Sequence, residues 1–229
     1  SIDEVKNLRD DFIRAAIRSE QAGFDGVELH GAHGYILAQF LSPDINNRDD
    51  QYGQSLFNRS RLLFEIIDGI RRDCNPNFIV GVRLSPERFG LKLREITTLA
   101  QELMTSNKID FLDMSLWDVF KEPEEEAFQG KKLISYFTEL DRGHTKLGVA
   151  GSIRTPSDAE MTMAEGVDWV MLGRAAILQH NFPKLYEADS SFSPVEAPVS
   201  AEYLRNEGLS DKFIQYVGNW KLTKKPSKA

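Results

Sequence analysis

The segment Gly23-Phe24-Asp25-Gly26-Val27-Glu28-Leu29-His30 decides the fold, because it joins the end of a helix to a short strand. Upstream, Ser1 and Glu4 form the pattern of a capping box, and the apolar residues that follow recur at the spacing of one helix face. Gly23 ends this helix. Phe24 to His30 then predicts a strand, so the chain opens with a helix that leads directly into a strand.

The same alternation continues outward from this segment. Four further strands are predicted at Phe78–Leu84, Ile109–Ser115, Leu147–Ala150 and Asp168–Leu172. Intervening helices are predicted at Phe57–Arg72, Leu93–Thr105, Gly130–Leu140, Thr155–Gly166 and Arg174–His180. Strands that alternate with helices indicate parallel strands with helical crossovers. Two α/β architectures fit five such units: an open doubly wound sheet, or part of a (β/α)8 barrel.

The remaining segments carry weaker patterns. Residues 31–55 are predicted to form a long loop, and residues 184–200 show no clear periodicity. Residues 201–220 are helical in parts, with a break at Gly208, and the tail from residue 221 to residue 229 is basic.

Composition excludes several classes of protein. The formal net charge of the 229 residues is −7, which argues against nucleic acid and against an anionic membrane surface as partners. A single cysteine, Cys74, excludes an internal disulfide and a cysteine-based metal cluster. One free cysteine suits a reducing compartment, so we expect a cytoplasmic location.

Polar residues and glycines stand at the carboxyl ends of the predicted strands, where parallel α/β folds bind ligands. They are His30, Arg83, Ser115, Gly151-Ser152 and Gly173-Arg174. Side chains alternate along a strand, so Arg83 points away from Val80 and Val82. In a barrel that face is the interior, where an arginine is costly unless it meets an anion or a polar ligand. The alternative is an arginine that reaches solvent at the strand end.

Two glycine turns in succession favour a phosphate site. Gly151-Ser152 and Gly173-Arg174 each follow a strand and precede a helix. Backbone N–H groups in such turns bind anions, and the guanidinium of Arg174 suits phosphate. The simpler interpretation is that both glycines only permit tight turns.

The motif His30-Gly31-Ala32-His33-Gly34-Tyr35 offers hydrogen-bond donors to an oxygen and a proton donor. Zinc would need a third protein ligand, and no further cluster of His or Cys residues accompanies the motif, so no metal site is predicted. Alternatively, the two histidines are ordinary loop residues whose ring nitrogens find hydrogen-bond partners within the loop. Glu28 shares a strand face with His30 and is expected to be a structural ion partner, with a general-base role as the less favoured alternative. Trp117, just past a strand end, either lines the site or only fills space as a packed aromatic side chain.

Several of these motifs closely resemble those of the Old Yellow Enzyme family of FMN-dependent NAD(P)H oxidoreductases. The resemblance is carried by Ala22–Pro43, by Asn47–Ser55 with Asn58-Arg59, by Val82–Ser85 and by Leu172–Arg174. It runs from Ser1 to about Pro183.

The resemblance implies a (β/α)8 barrel that holds FMN at the carboxyl ends of its strands, with NADH or NADPH as the electron donor. It implies that His30 and His33 bind the carbonyl or nitro oxygen of an α,β-unsaturated substrate, and that Tyr35 donates a proton to the substrate carbon. Arg83 would contact the flavin ring near N1 and O2. The flavin phosphate would be held by Gly151, Ser152, Gly173 and Arg174.

The chain departs from the family pattern in three places. Ala150 stands where the family often has a glycine, and Gln54 replaces another glycine. The third departure is coverage, because the first three strands of the family barrel have no counterpart here. We therefore expect residues 1–183 to be the C-terminal part of an FMN-binding barrel, about strands 4 to 8. Residues 184–229 would be an extension with a helix and a basic tail.

An isolated five-strand piece would leave two unpaired edges and an uncovered interior. We therefore expect the chain to need an N-terminal half, and the intact protein to form a homo-oligomer that acts on a small-molecule substrate. Two alternatives stay open beside the flavoenzyme: a non-catalytic barrel fragment, and a phosphate-binding (β/α)8 enzyme without flavin.

Overall fold

A single parallel sheet organises the chain in a computed structural model that describes residues 1–223. Its five strands stand in the order β1-β2-β3-β4-β5, and each strand pairs in parallel with the next one along the chain. The strands are β1 Gly26–Gly31, β2 Ile79–Leu84, β3 Phe111–Ser115, β4 Lys146–Ala150 and β5 Trp169–Met171. An unchanged sequential order of parallel strands is the arrangement of part of a barrel, and it confirms the α/β prediction.

Helices connect the strands and cover one face of the sheet. They are α1 Ile2–Gln21, α2 Ile36–Leu41, α3 Leu56–Asp73, α4 Leu93–Thr105, α5 Ser135–Thr138, α6 Pro156–Ala164, α7 Arg174–Leu178, α8 Phe182–Ala188, α9 Ala201–Asn206 and α10 Asp211–Gly218. A 3-10 turn spans Glu126–Phe128. Among residues 1–223, none of these helices combines the length and apolar character that a membrane crossing requires.

The hydrophobic core lies between the helices and the outer face of the sheet. On β2 and β3 the side chains that point outward are completely buried, among them Val80, Val82 and Leu112. They pack in the same cluster as the apolar stripes of α1, α3 and α4. This is why the helical and strand periodicities of the sequence predicted these elements well.

The loop before α3 is fixed by a buried arginine. Nε of Arg59 donates to the carbonyl oxygen of Leu41 at 2.9 Å, and the guanidinium forms an ion pair with Glu95. Nearby, the hydroxyl of the buried Tyr52 donates to Glu65 at 2.9 Å. The second motif of the resemblance, around Asn47–Ser55 and Asn58-Arg59, therefore holds the long loop against the core.

Two predictions about local structure were wrong. Residues 31–55 were expected to be loop throughout, but Ile36–Leu41 forms α2, since Leu37, Ala38 and Leu41 pack into the core. Its nearly continuous apolar run shows no helical period, so only tertiary contacts identify it. Conversely, the helix expected at Gly130–Leu140 is a single turn, Ser135–Thr138. The N–H of Leu133 donates to the carbonyl of Lys121 at 2.8 Å, which ties the start of this segment to a loop.

The C-terminal region forms its own small apolar cluster. Helices α9 and α10 flank Gly208, which has φ of +89°, so the predicted break in this helix is confirmed. Their buried residues pack with Leu178 of α7 and with Leu222. The segment before them, predicted to lack periodicity, contains most of α8 at Phe182–Ala188. Most of the predicted basic tail, residues 224–229, lies outside the described residues.

Candidate functional site

The carboxyl ends of the strands surround a cavity of about 470 Å³. Six of the eight site residues predicted from sequence line it: His33, Arg83, Gly151, Ser152, Gly173 and Arg174. His30 stands beside His33 at the rim, and Tyr35 stands beside His30. The structure therefore brings all eight residues to one end of the sheet, from turns that are far apart in sequence.

Arg83 lies on the inner face of the sheet, as the strand alternation predicted. Its neighbours in register are His30 on β1 and Asp113 on β3. Its Nε donates to Oγ of Ser115, one step nearer to the cavity, at 2.8 Å. This hydrogen bond directs the guanidinium toward the cavity, where it can meet a polar or anionic ligand.

The histidine motif forms a compact cluster at the rim. The ring centroid of His30 lies 5.1 Å from that of His33 and 5.2 Å from that of Tyr35. His33 adopts a left-handed backbone with φ of +58°, and its N–H donates to Oγ of Ser85 at 3.0 Å. The Tyr35 side chain is 63% exposed at the mouth of the cluster. A strained backbone anchored by a hydrogen bond directs His33 toward the site.

The electrostatics keep both imidazoles neutral. Desolvation, followed by the nearby positive charge of Arg83, lowers the pKa of His30. The same two causes, with His30 as a third, lower the pKa of His33. A neutral imidazole still offers one N–H donor, so the pair can donate two hydrogen bonds to one oxygen at neutral pH.

The first glycine turn needs its glycine. Gly151 has φ of +156°, and a Cβ built on it would lie 2.9 Å from the backbone nitrogen of Asp118. Ser152 follows with φ of +54°, and its hydroxyl donates to the carbonyl oxygen of Trp117 at 3.1 Å. The turn after β4 is therefore locked to the turn after β3. Ala150, where the family often has a glycine, keeps strand geometry and pairs with β5.

The second glycine turn is more open. Gly173 is the N-cap of α7, and nothing lies within 4 Å of the position that its Cβ would take. Arg174 is exposed and also lines the cavity. The helix that follows the first turn is already capped, because Asp158 accepts hydrogen bonds from the N–H groups of Arg154 and Thr155 at 2.9 Å. The anion-binding capacity of this end therefore depends on the turns and on Arg174 more than on the start of α6.

Trp117 lines the cavity from an unusual turn. It has φ of +66°, and the N–H of Asp118 donates to the carbonyl of Leu116 at 2.7 Å, which closes a γ-turn around it. The guanidinium of Arg88 stacks over the indole ring at 4.5 Å and also pairs with Glu124. Of the two interpretations that the sequence left open for Trp117, the structure places it as a lining residue, 58% exposed.

Other lining residues gave little signal in the sequence. Arg88 follows a predicted strand by only four residues, and Met171 and Trp220 come from β5 and from the C-terminal region. Only the folded chain brings Trp220 to this cavity. Its position at the end of residues 201–220, a segment predicted to be helical only in parts, gave no sign of this contact.

The surroundings of Glu28 differ from those that the sequence predicted. It was predicted to be a structural ion partner, but its side chain forms a hydrogen bond with another acid, Asp113 of β3, and the positive charge of Arg83 acts on it more weakly. Desolvation, and then the hydrogen bond with Asp113, raise the pKa of Glu28 above its ordinary value. Gly81 stands in register between Glu28 on β1 and Phe111 on β3, and the ring of Phe111 fills the space that a Cβ on Gly81 would take. Within residues 1–223, no three His, Cys, Asp or Glu side chains are grouped so as to hold a metal ion.

Comparison with known proteins gives consistent matches. A family model described as the NADH:flavin oxidoreductase / NADH oxidase family matches residues 1–189. A probable NADH-dependent flavin oxidoreductase of Bacillus subtilis is 34% identical over 187 residues, which are 79% of this chain and 50% of that protein. A 12-oxophytodienoate reductase of rice, Oryza sativa, is 33% identical over 193 residues, 82% of this chain and 50% of that protein.

Solved structures with a similar fold agree with these sequence matches. An old yellow enzyme homologue from Zymomonas mobilis superposes with a TM-score of 0.71 at 26% identity, covering 89% of this chain and 56% of that one. Morphinone reductase in complex with tetrahydroNAD gives a TM-score of 0.69 at 27% identity, covering 89% of this chain and 53% of that one. The chain spans about half the length of these relatives.

Proposed function

Because the chain belongs to the NADH:flavin oxidoreductase / NADH oxidase family, we propose that it forms part of an FMN-dependent oxidoreductase of the Old Yellow Enzyme type. NADH or NADPH is the electron donor, and the acceptor is an activated alkene, a quinone or a related small molecule. The observation that carries the proposal is the convergence of the histidine cluster, Arg83 and both glycine turns on one cavity.

The cavity suits the phosphate and the ring of FMN. Gly151 and Ser152, with Gly173 and Arg174, supply N–H donors and a guanidinium to a phosphate at one end. Arg83 stands between that end and the histidines, where its guanidinium can contact the polar edge of a flavin ring. When bound, FMN supplies the hydride transfer.

The histidine cluster is placed to bind and polarise the acceptor. His30 and His33 present neutral imidazoles a few ångströms apart, so both can donate to the carbonyl or nitro oxygen of one substrate. These hydrogen bonds draw electron density toward that oxygen and activate the conjugated double bond. Tyr35 stands beside His30 at the open mouth, and its hydroxyl donates a proton to the substrate carbon.

Substitution of Tyr35 tests the proton-donor role in the intact protein. Tyr35→Phe should slow alkene reduction by about 10²-fold or more, the ordinary contribution of a general acid. Reduction of FMN by NADH or NADPH should stay nearly unchanged, because that half-reaction needs no proton on the acceptor. Stopped-flow measurement of the two half-reactions separates them. The matched control is Tyr186→Phe on α8, whose hydroxyl contacts Glu160; an equal loss in both half-reactions would refute the role of Tyr35.

The division of the chain is part of the proposal. Residues 1–183 contribute the C-terminal part of the barrel, and residues 184–229 form an extension whose described part has its own apolar cluster. The intact protein includes an N-terminal half and assembles as a homo-oligomer. A visible spectrum of the purified protein after FMN addition and desalting tests cofactor binding, and a retained flavin band would distinguish the flavoenzyme from a phosphate-binding enzyme without flavin.

A further inference from the structure

A second cavity lies between the helices α6 and α7 and the C-terminal region of the chain. It has a volume of about 1050 Å³ and shares a wall with the cavity at the strand ends, to which Arg154, Arg174 and Trp220 contribute. Sites for small molecules commonly have volumes of about 300–1,000 Å³. The second cavity is therefore large enough for a ligand of its own, and the proposed function assigns none to it.

Contacts within the chain hold the walls of this cavity in place. One wall is formed by the start of α6 with α7, and the other by the segment 190–197 with the residues that follow α10. The N–H of Val195 donates to Oε1 of Gln179, directly after α7, at 3.2 Å. The rings of Phe192 and Phe182 meet edge to face at 4.9 Å. These contacts fix the segment 190–197 against the helices, so the cavity is formed before a ligand binds.

Basic side chains without a carboxylate partner line this cavity. Among residues 1–223, the side chains of Arg154, Arg174 and Lys221 form no ion pair, although the whole chain contains 35 acidic residues. Arg174 is assigned above to the phosphate of the flavin, which leaves Arg154 and Lys221 for another anion. A guanidinium and an ammonium group on one cavity favour a ligand that carries phosphate.

The other lining residues suit the remaining parts of a nucleoside phosphate. Two acids line the cavity, Glu160 and Glu196. Glu160 accepts a hydrogen bond from the hydroxyl of Tyr186 at 3.1 Å, whereas Glu196 forms no ion pair or side-chain hydrogen bond within the described part of the chain. A carboxylate accepts hydrogen bonds from ribose hydroxyls, as it does in dinucleotide-binding folds. The partly buried ring of Phe192 lines the same cavity, and such a ring stacks with a planar base.

We infer that this second cavity binds a phosphorylated nucleoside. Arg154 and Lys221 bind its phosphate groups, Glu196 accepts from its ribose, and its base stacks on Phe192. The inference goes beyond the proposed function, because it concerns a cavity that the flavin does not need. Two sources share this chemistry: the adenosine diphosphate end of the NADH or NADPH donor, and a free nucleotide. The wall that the two cavities share is compatible with either source.

Calorimetric titration of the intact protein with ADP, in the presence of FMN, tests the inference. ADP should bind, and adenosine and inorganic phosphate should each bind about 10-fold more weakly or less, because each makes only part of the contacts. The double variant Arg154→Gln/Lys221→Gln should bind ADP about 10-fold more weakly and retain FMN. The matched control Arg94→Gln/Lys212→Gln removes two exposed cations that line neither cavity, and it should bind ADP like the wild type.

A second variant separates the base from the phosphate groups. Phe192→Leu should weaken the binding of ADP by about 10-fold, because it removes the stacking surface. The binding of inorganic phosphate should stay as in the wild type. Urea unfolding of all variants guards against a folding artefact.

Steady-state kinetics distinguish the two sources of the nucleotide. If ADP raises KM for the dinucleotide donor and Arg154→Gln/Lys221→Gln abolishes that effect, the cavity takes the adenosine end of the donor. If ADP binds and KM is unchanged, the cavity takes a free nucleotide. Both results support the inference.

Three outcomes would overturn the inference: no binding of ADP to the wild-type protein, equal affinity of Arg154→Gln/Lys221→Gln, or release of FMN by ADP. The last outcome would place ADP in the cavity at the strand ends. Flavin retention and alkene reduction are recorded separately without ADP, so their absence would contradict the proposed function and leave this inference intact.

Discussion

The two faces of the sheet carry the same five strands and differ in almost everything else. On the outer face, Val80, Val82 and Leu112 are fully buried beneath helices. On the inner face, the residues next to them in sequence are an exposed Ile79, a buried acid at Asp113, and Arg83 beside Ser115. Alternation along a strand separates these two environments by a single residue. The outer face therefore holds the fold together, whereas the rim of the inner face lines the cavity.

The largest expected effect comes from truncation on the outer face. Leu112→Ala should lower the free energy of unfolding by about 2–5 kcal/mol, because it leaves a cavity in a closed core. The matched inner-face change Ile79→Ala removes an exposed side chain and should cost less than about 1 kcal/mol. Urea unfolding of both variants measures the difference. Similar losses for the two would show that the inner face is as closely packed as the outer one.

A smaller effect is expected where the inner face is crowded. In Gly148→Ala the new Cβ would lie 2.0 Å from Oδ1 of Asp113 and 2.3 Å from Nε1 of Trp169, so these side chains must move. Overpacking of this kind costs about 1–3 kcal/mol of stability. Gly173→Ala, with nothing within 4 Å of its Cβ position, is the control. If Gly148→Ala unfolded at the same urea concentration as the control, the close approach of β3 and β5 to Gly148 would not limit the stability of the chain.

The smallest expected effect concerns pH at the rim. The pKa values of His30 and His33 lie below the ordinary value of 6.5 in the folded chain. The unfolded chain therefore takes up these protons first as the pH falls. The stability that these two imidazoles contribute should be fully present above about pH 6.5 and should decline as the pH falls through that value toward the lowered pKa values, whereas the raised pKa of Glu28 acts in the opposite direction.

Urea titrations of the wild type and of His33→Asn at pH 7.5 and pH 5.5 isolate the part of this decline that His33 contributes. On going from pH 7.5 to pH 5.5, His33→Asn should gain stability relative to the wild type, and His144→Asn, at an exposed position away from the cavity, is the control. An unchanged profile in His33→Asn would mean that burial at the rim has no influence on the charge of this imidazole.

The sequence by itself determined the order of helices and strands and the grouping of the candidate site. Both follow from local physics, because a half-buried helix or strand must repeat its apolar residues at the period of its own backbone. The carboxyl ends of parallel strands must also meet at one edge, so His30, Arg83, Gly151 and Gly173 could be assigned to one region without coordinates. The family motif around residues 22–43 added the chemistry expected there.

Only the tertiary structure decided the features that depend on contacts between distant segments. The apolar run of α2 has no period of its own, and the Gly130–Leu140 segment has a helical pattern that a bond between Leu133 and Lys121 helps to override. The γ-turn at Trp117 is held by Ser152, which follows the next strand, and Glu28 of β1 forms a hydrogen bond with Asp113 of β3. Each of these features depends on contacts between side chains from different segments. The spacing of residues within one segment does not predict such contacts.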